Sequence, residues 1–222
     1  MKGNGIYFNQ INISHAGGSL HLNGNIQQAG AVNKFFIRST ISRVNVKEFF
    51  HAFENFGQQA VTSQNLKGLL SAKVNASGSI TDKGVLVSRA MYGQVIFNLR
   101  QAALIGFEPL QKVQRLAFRN RDFNHITIDN MDGTLTLNGD KINISPMEVN
   151  TSVLNFNMKG IYGFNEGTDI AMDIPLRNPK KNEGITNKEE LALARMKGIV
   201  LHLKAVDDGK GSVKIRWNSD RN

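Results

Sequence analysis

The five histidines, His15, His21, His51, His125 and His202, are the side chains of this chain best suited to acid–base or metal chemistry near neutral pH. None stands at a metal-ligand spacing from another. Asp129, Asn130 and Asp132 offer oxygen ligands for calcium. The rest of a calcium-loop pattern is absent, and the three read as turn formers ahead of Gly133. Gly209-Lys210-Gly211-Ser212 has the look of a phosphate loop without its upstream glycine, so a hairpin turn is expected there. The chain has no cysteine, which excludes a thiolate ligand, a thiol nucleophile and a disulfide framework. It contains no H-E-x-x-H, G-x-S-x-G, Walker or G-x-G-x-x-G motif. The expectation is a protein with no catalytic residues, no metal site and no cofactor, and not an enzyme.

Charge points to acidic partners in general terms. There are 27 Lys and Arg against 18 Asp and Glu in 222 residues, a formal net charge of +9. The densest clusters are Lys112, Arg115, Arg119 and Arg121, and Arg177, Lys180 and Lys181. A solvated basic surface is the reading preferred to a nucleic-acid groove, so nucleic acid is not an expected partner. No apolar stretch approaches the roughly 18 residues of a membrane-spanning helix. The opening Met1-Lys2-Gly3-Asn4-Gly5 leads into a strand pattern with no hydrophobic signal region. Two readings remain at this point, a cytoplasmic protein or a start inside a longer secreted or anchored chain.

The elements that must position these residues are mostly strands. Leu20, Leu22, Gly24 and Ile26 alternate with His21 and Asn23. Leu70, Ala72, Val74 and Ala76 alternate with polar residues, as do Val95, Phe97 and Leu99, then Leu135 and Leu137, and Leu154, Phe156 and Met158. Leu201 and Leu203, and Val213, Ile215 and Trp217, do the same near the end. Period-two alternation gives each strand one apolar and one wet side, which suits antiparallel pairing. Turns are expected at Gly17-Gly18, Asp132-Gly133, Asn138-Gly139-Asp140 and Asp207-Asp208-Gly209. Two segments have helical spacing instead. One runs from Val46 through Phe49, Phe50 and Phe53 to Phe56, with Asn45 as N-cap and Gly57 as stop. The other places Phe107, Leu110, Val113 and Ala117 on one face, with Pro109 in the first turn. A third helix is expected over Lys188 to Met196, after a polar loop from Arg177 to Asn187.

FNQINISHAGGSLHLNG, from Phe8 to Gly24, aligns without a gap to FNHITIDNMDGTLTLNG, from Phe123 to Gly139. The match predicts a repeated strand–turn–strand module. The fold class that follows is mainly β: a long twisted antiparallel sheet or open β groove built from repeated strand modules, with two or three short amphipathic helices packed on it. Alternation alone favours a closed sandwich, or a sheet covered by the two helices, with the same residues forming core. If the sheet is open, Leu20, Leu22, Leu135, Leu137, Leu154 and Phe156 are the candidates for a lipid-contacting floor, since each acyl CH₂ withdrawn from water contributes about 0.8 kcal/mol.

From about Asn65 to Pro179, the order GSITDKGVLVSRAMYGQVIFNLRQAALIGFEPLQKVQRL, FNHITIDNMDGTLTLNGDKINISPMEVNTSVLNFNMKGIYGF and TDIAMDIPLRNP resembles the C-terminal region of AsmA-like proteins of Gram-negative bacteria. The shared order is a short amphipathic helix, a hairpin at Asp132-Gly133, and longer strands closing with Ala171-Met172-Asp173-Ile174-Pro175-Leu176. The resemblance implies two regions, a preceding β module over 1–64 and an AsmA-like β region over 65–222. It also implies a periplasmic location within an inner-membrane-anchored protein whose anchor lies outside this sequence. The expected partners are phospholipid or a membrane surface and the remainder of a longer chain. The implied role is phospholipid transport or outer-membrane lipid homeostasis through a repeating β groove. A structural module that binds other envelope proteins is the alternative.

Overall fold

In a computed structural model, residues 5–57, 61–164, 166–176, 182, 184–195, 197–209 and 213–219 are described. Eleven strands form one open antiparallel sheet in strict chain order. They are β1 (Gly5–His15), β2 (Gly18–Ala29), β3 (Val32–Asn45), β4 (Leu66–Ile80), β5 (Tyr92–Ile105), β6 (His125–Asn138), β7 (Lys141–Asn150), β8 (Asn155–Gly163), β9 (Asp169–Pro175), β10 (Val200–Asp207) and β11 (Val213–Trp217). Three short helices interrupt the meander: α1 (Val46–Ala52), α2 (Glu108–Ala117) and α3 (Lys188–Arg195). β1 and β11 are the two edges and do not pair with each other, so the sheet is neither a barrel nor a sandwich. The accessible surface is 13605 Å². A compact monomer of this mass would expose about 10,100 Å². The excess is what a single-layer sheet with uncovered area produces.

The ladder shows why the strands curve instead of lying flat. Irregularities fall between Phe8 and Ile11 in β1, between Ile41 and Val44 in β3, and between Ile144 and Met147 in β7. In the first two an extra residue, Gln10 or Arg43, takes a positive φ, which kinks the strand and increases its twist. A side chain of the neighbouring strand accepts each displaced N–H: Asn23 Oδ1 from Gln10 at 2.8 Å and Ser71 Oγ from Arg43 at 3.1 Å. Between β6 and β7 the ladder covers only Leu135–Asn138 against Lys141–Ile144. Pro146, which has no N–H to donate, follows immediately. The strands rejoin where Ser152 N donates to Thr127 O at 2.9 Å.

Helices α1 and α2 cover one end of the apolar face. Asn45 caps α1 as expected, its Oδ1 accepting from Lys47 N at 3.0 Å and Glu48 N at 3.4 Å. The helix ends at Ala52 and a 3-10 turn, Glu54–Gly57, follows. The expected single helix through Phe56 is therefore two pieces, and Phe53 lies mostly exposed. α1 contributes Val46 and Phe49, and α2 contributes Leu110 and Val113, to the buried core. Phe123, Ile126, Leu154, Ile174 and Leu203 are the fully buried large side chains they join. Each stabilises the fold by about 1.5–3 kcal/mol through burial.

Two sequence expectations do not hold. Asp132-Gly133 is not a turn. β6 runs straight through it, with Asn98 opposite Asp132 and Phe97 opposite Gly133. The aligned segments Phe8–Gly24 and Phe123–Gly139 consequently do not fold alike. The first is the β1–β2 hairpin around Ala16-Gly17, while the second enters one long strand that ends in the Gly139-Asp140 turn. The sheet is still built of repeated strand modules, but that echo is not their unit. The boundary expected at 64/65 falls just before β4, which pairs with β3 along most of its length.

Candidate functional site

Cross-strand partners share a face of a sheet, so the ladder traces each face from edge to edge. One unbroken row reads Ile11, Leu22, Ser39, Val74, Val95, Leu135, Ile144, Gly160, Ile170, Ala205, Ile215, one residue from every strand. A neighbouring row on the other face reads Asn23, Arg38, Asn75, Gln94, Thr136, Asn143, Ile161, Asp169, Val206, Lys214. The sheet thus has an apolar side and a mainly polar side throughout. At about 4.8 Å per strand, the apolar row is about 48 Å long.

How far this face is covered varies along the strands. Leu154 is 1% exposed and Phe156 8%, and both belong to the larger core cluster with Leu110 and Val113 of α2. They sit at the covered end. Leu20 packs at the margin of the smaller cluster around Ile41, Val44 and Phe49. Leu22, Leu135 and Leu137 pack into neither cluster and are half-buried. Of the six floor candidates, three therefore line the uncovered region, one its border and two the core. Ile142, Ile144 and Ile37 join the uncovered region through the register. Ile142 and Ile144 were readable in the alternation of Lys141-Ile142-Asn143-Ile144. On β1 the bulge shifts the phase from Ile6 and Phe8 to Ile11 and Ile13, which hid a fourth apolar stretch from any strict period-two reading.

The methionines sharpen the picture. Met147, Met158 and Met172 are direct partners on β7, β8 and β9, continued by Leu203 and Trp217. Thioether side chains adapt to irregular apolar contacts, and this row runs from Met147 and Met158 at the margin of the core to Met172 and Leu203 within it.

The polar side holds the groups with catalytic potential, and they are engaged with each other. Asn98 donates to Asn130 at 2.6 Å and to Asp132 at 2.7 Å, and Arg100 Nε donates to Asn98 at 2.9 Å. The residues taken as turn formers instead tie β5 to β6. His202 Nδ1 lies 2.7 Å from Asp173 Oδ1, and His21 bonds Asn12. Among the described residues, no three His, Asp or Glu side chains are grouped to hold a metal ion. Lys112 pairs with Glu108 at 3.0 Å, and Arg121 is turned toward backbone carbonyls, so two of the four residues of the first basic cluster are engaged within the fold. Arg177, Lys180 and Lys181 lie outside the described residues, as do Lys210, Gly211 and Ser212. Among the described residues no helix is long and apolar enough to cross a membrane.

Fold and surface together define a single-layer, open antiparallel β protein with one apolar and one polar face. Comparison with family models, curated proteins and solved structures finds no match to this chain. The AsmA-like resemblance rests on the order of its sequence elements, and the hairpin at Asp132-Gly133, one member of that order, is absent from the fold.

Proposed function

We propose that this chain is a non-catalytic lipid-handling module of the bacterial envelope, an AsmA-like periplasmic domain that contributes to phospholipid transport or outer-membrane lipid homeostasis. The observation that supports it most is the apolar row through all eleven strands, only half-buried at Leu22, Leu135 and Ile144. A face about 48 Å long exceeds the about 30 Å hydrocarbon thickness of a bilayer. Acyl chains laid on it gain about 0.8 kcal/mol for each methylene withdrawn from water. No oriented polar group is required for that interaction, in keeping with polar side chains that bond among themselves on the opposite face.

Native mass spectrometry of the chain exposed to phosphatidylethanolamine and phosphatidylglycerol vesicles tests the proposal. The expected result is bound phospholipid, reduced several-fold in Leu22→Gln/Leu135→Gln and unchanged in the polar-face variant Gln94→Ala. A protein that takes up no lipid from either vesicle would defeat the reading. Recovery of envelope proteins by such a lipid-free chain would favour an assembly role instead.

A further inference from the structure

The two edges of the sheet differ in a way that bears on association. β11 has five residues, two of them Lys214 and Arg216, and charge on a short strand is how natural sheets discourage edge pairing. β1 has eleven residues and no Lys, Arg, Asp or Glu. Among the described residues its outer backbone edge has no partner strand, and Ile6 and Tyr7 are 68% and 65% exposed. In a protein of net charge +9, this is an uncharged edge at which like copies can meet without repulsion.

We infer that β1 pairs antiparallel with β1 of a second copy, across a two-fold axis that passes between Asn9 and Gln10. The bulge sets the register of this pairing. Its apolar-face residues are Ile6 and Phe8 before the irregularity and Ile11 and Ile13 after it, a set symmetric about that point. In the pairing Ile6 faces Ile13 of the second copy and Phe8 faces Ile11. On the polar face Tyr7 meets Asn12 and Gly5 meets Ser14. A two-fold axis perpendicular to the sheet leaves the apolar faces of both copies on the same side, so the apolar row continues from one into the other.

Sedimentation equilibrium of the full chain, over a range of concentrations, should show a monomer–dimer equilibrium. Ile11→Lys should shift it to monomer and Ile215→Lys on the opposite edge should not, with far-UV circular dichroism confirming that both fold. Because the chain is free of cysteine, the register can be read by oxidation. Residues 7 and 12 of one strand are about 16 Å apart, too far for a disulfide within one copy. Tyr7→Cys/Asn12→Cys should therefore cross-link only as a dimer, and Tyr7→Cys/Ser14→Cys should not. A chain that stays monomeric at every concentration overturns the inference. So does a dimer that is lost in Ile215→Lys but kept in Ile11→Lys, or a cross-link that forms equally in both cysteine pairs.

Discussion

The ring of Phe97 on β5 lies over Gly133 of β6, its direct cross-strand partner. The same arrangement occurs twice more, with Phe8 over Gly24 between β1 and β2 and Phe35 over Gly78 between β3 and β4. In each pair an aromatic ring covers backbone that would otherwise face solvent, and the glycine provides the space. This pairing recurs in alternate strand pairs of the first six strands and is a better description of their repetition than the Phe8–Gly24 and Phe123–Gly139 sequence echo.

A side chain at Gly133 should therefore be costly. A Cβ there would stand 2.6 Å from Phe97 Cε1 and still closer to the Met147 methyl group. Gly133→Val is expected to destabilise the fold by about 1–3 kcal/mol through overpacking, although valine ordinarily favours strands. Urea denaturation gives the value. A variant as stable as the parent would show that Phe97 and Met147 move aside freely.

Arg121 joins three parts of the molecule. Its guanidinium donates from Nη1 to Val153 O at 2.7 Å and from Nη2 to Leu176 O at 3.2 Å, and it stacks 4.6 Å above the Phe118 ring. Lysine keeps the charge but cannot make the fork or the planar stack. Arg121→Lys should cost about 2 kcal/mol, in the range for hydrogen bonds to a charged donor. Hydrogen exchange should rise at the β7–β8 connection and the end of β9, and an unchanged exchange pattern would count against this tie.

Asp207 at the end of β10 gives stability a dependence on acid. Burial pushes its carboxyl pKa up, but hydrogen bonds from the Thr168 side chain and backbone and from Gly167 outweigh burial and the opposing Asp208 charge, so the net shift is downward. Gly167 N and Thr168 N reach Oδ2 at 2.5 and 3.0 Å. A depressed folded-state pKa gives stabilisation that is complete above the unfolded value of about 4 and is lost as pH falls through the folded value. Asp207→Asn should flatten the acid side of a pH–stability profile. Burial, and after it the Asp207 charge, raise the Tyr162 pKa. The same variant should lower the midpoint of phenolate formation, read by absorbance.

Ser39 is the polar residue in the apolar row, buried with no hydrogen-bond partner among the described residues for its Oγ. Removing an unsatisfied hydroxyl relieves its desolvation. Ser39→Ala is expected to raise stability by about 1 kcal/mol, measurable as a higher thermal midpoint, and a lower midpoint would reveal a partner for the hydroxyl.

Much of this architecture was legible in residue alternation, because strands that are wet on one side leave a clear period. Leu20–Ile26, Leu70–Ala76, Val95–Leu99 and Leu201–Leu203 all fall on the face expected of them. Asn45, with Glu48 three residues on, announced α1 through local capping chemistry. Asp132-Gly133 misled because a turn dipeptide is a local signal, and here pairing with Asn98 and Phe97 outweighs it. Which floor residues stay uncovered was not legible. Leu135 and Phe156 look alike along the chain, and only the placement of α2 separates them.

The strict order of the strands also bears on how the molecule forms. Every inner strand pairs with those just before and after it, and the longest connections to close are the three that carry the helices. Such a sheet can grow by successive hairpins as the chain leaves the ribosome, each new strand finding its template already in place.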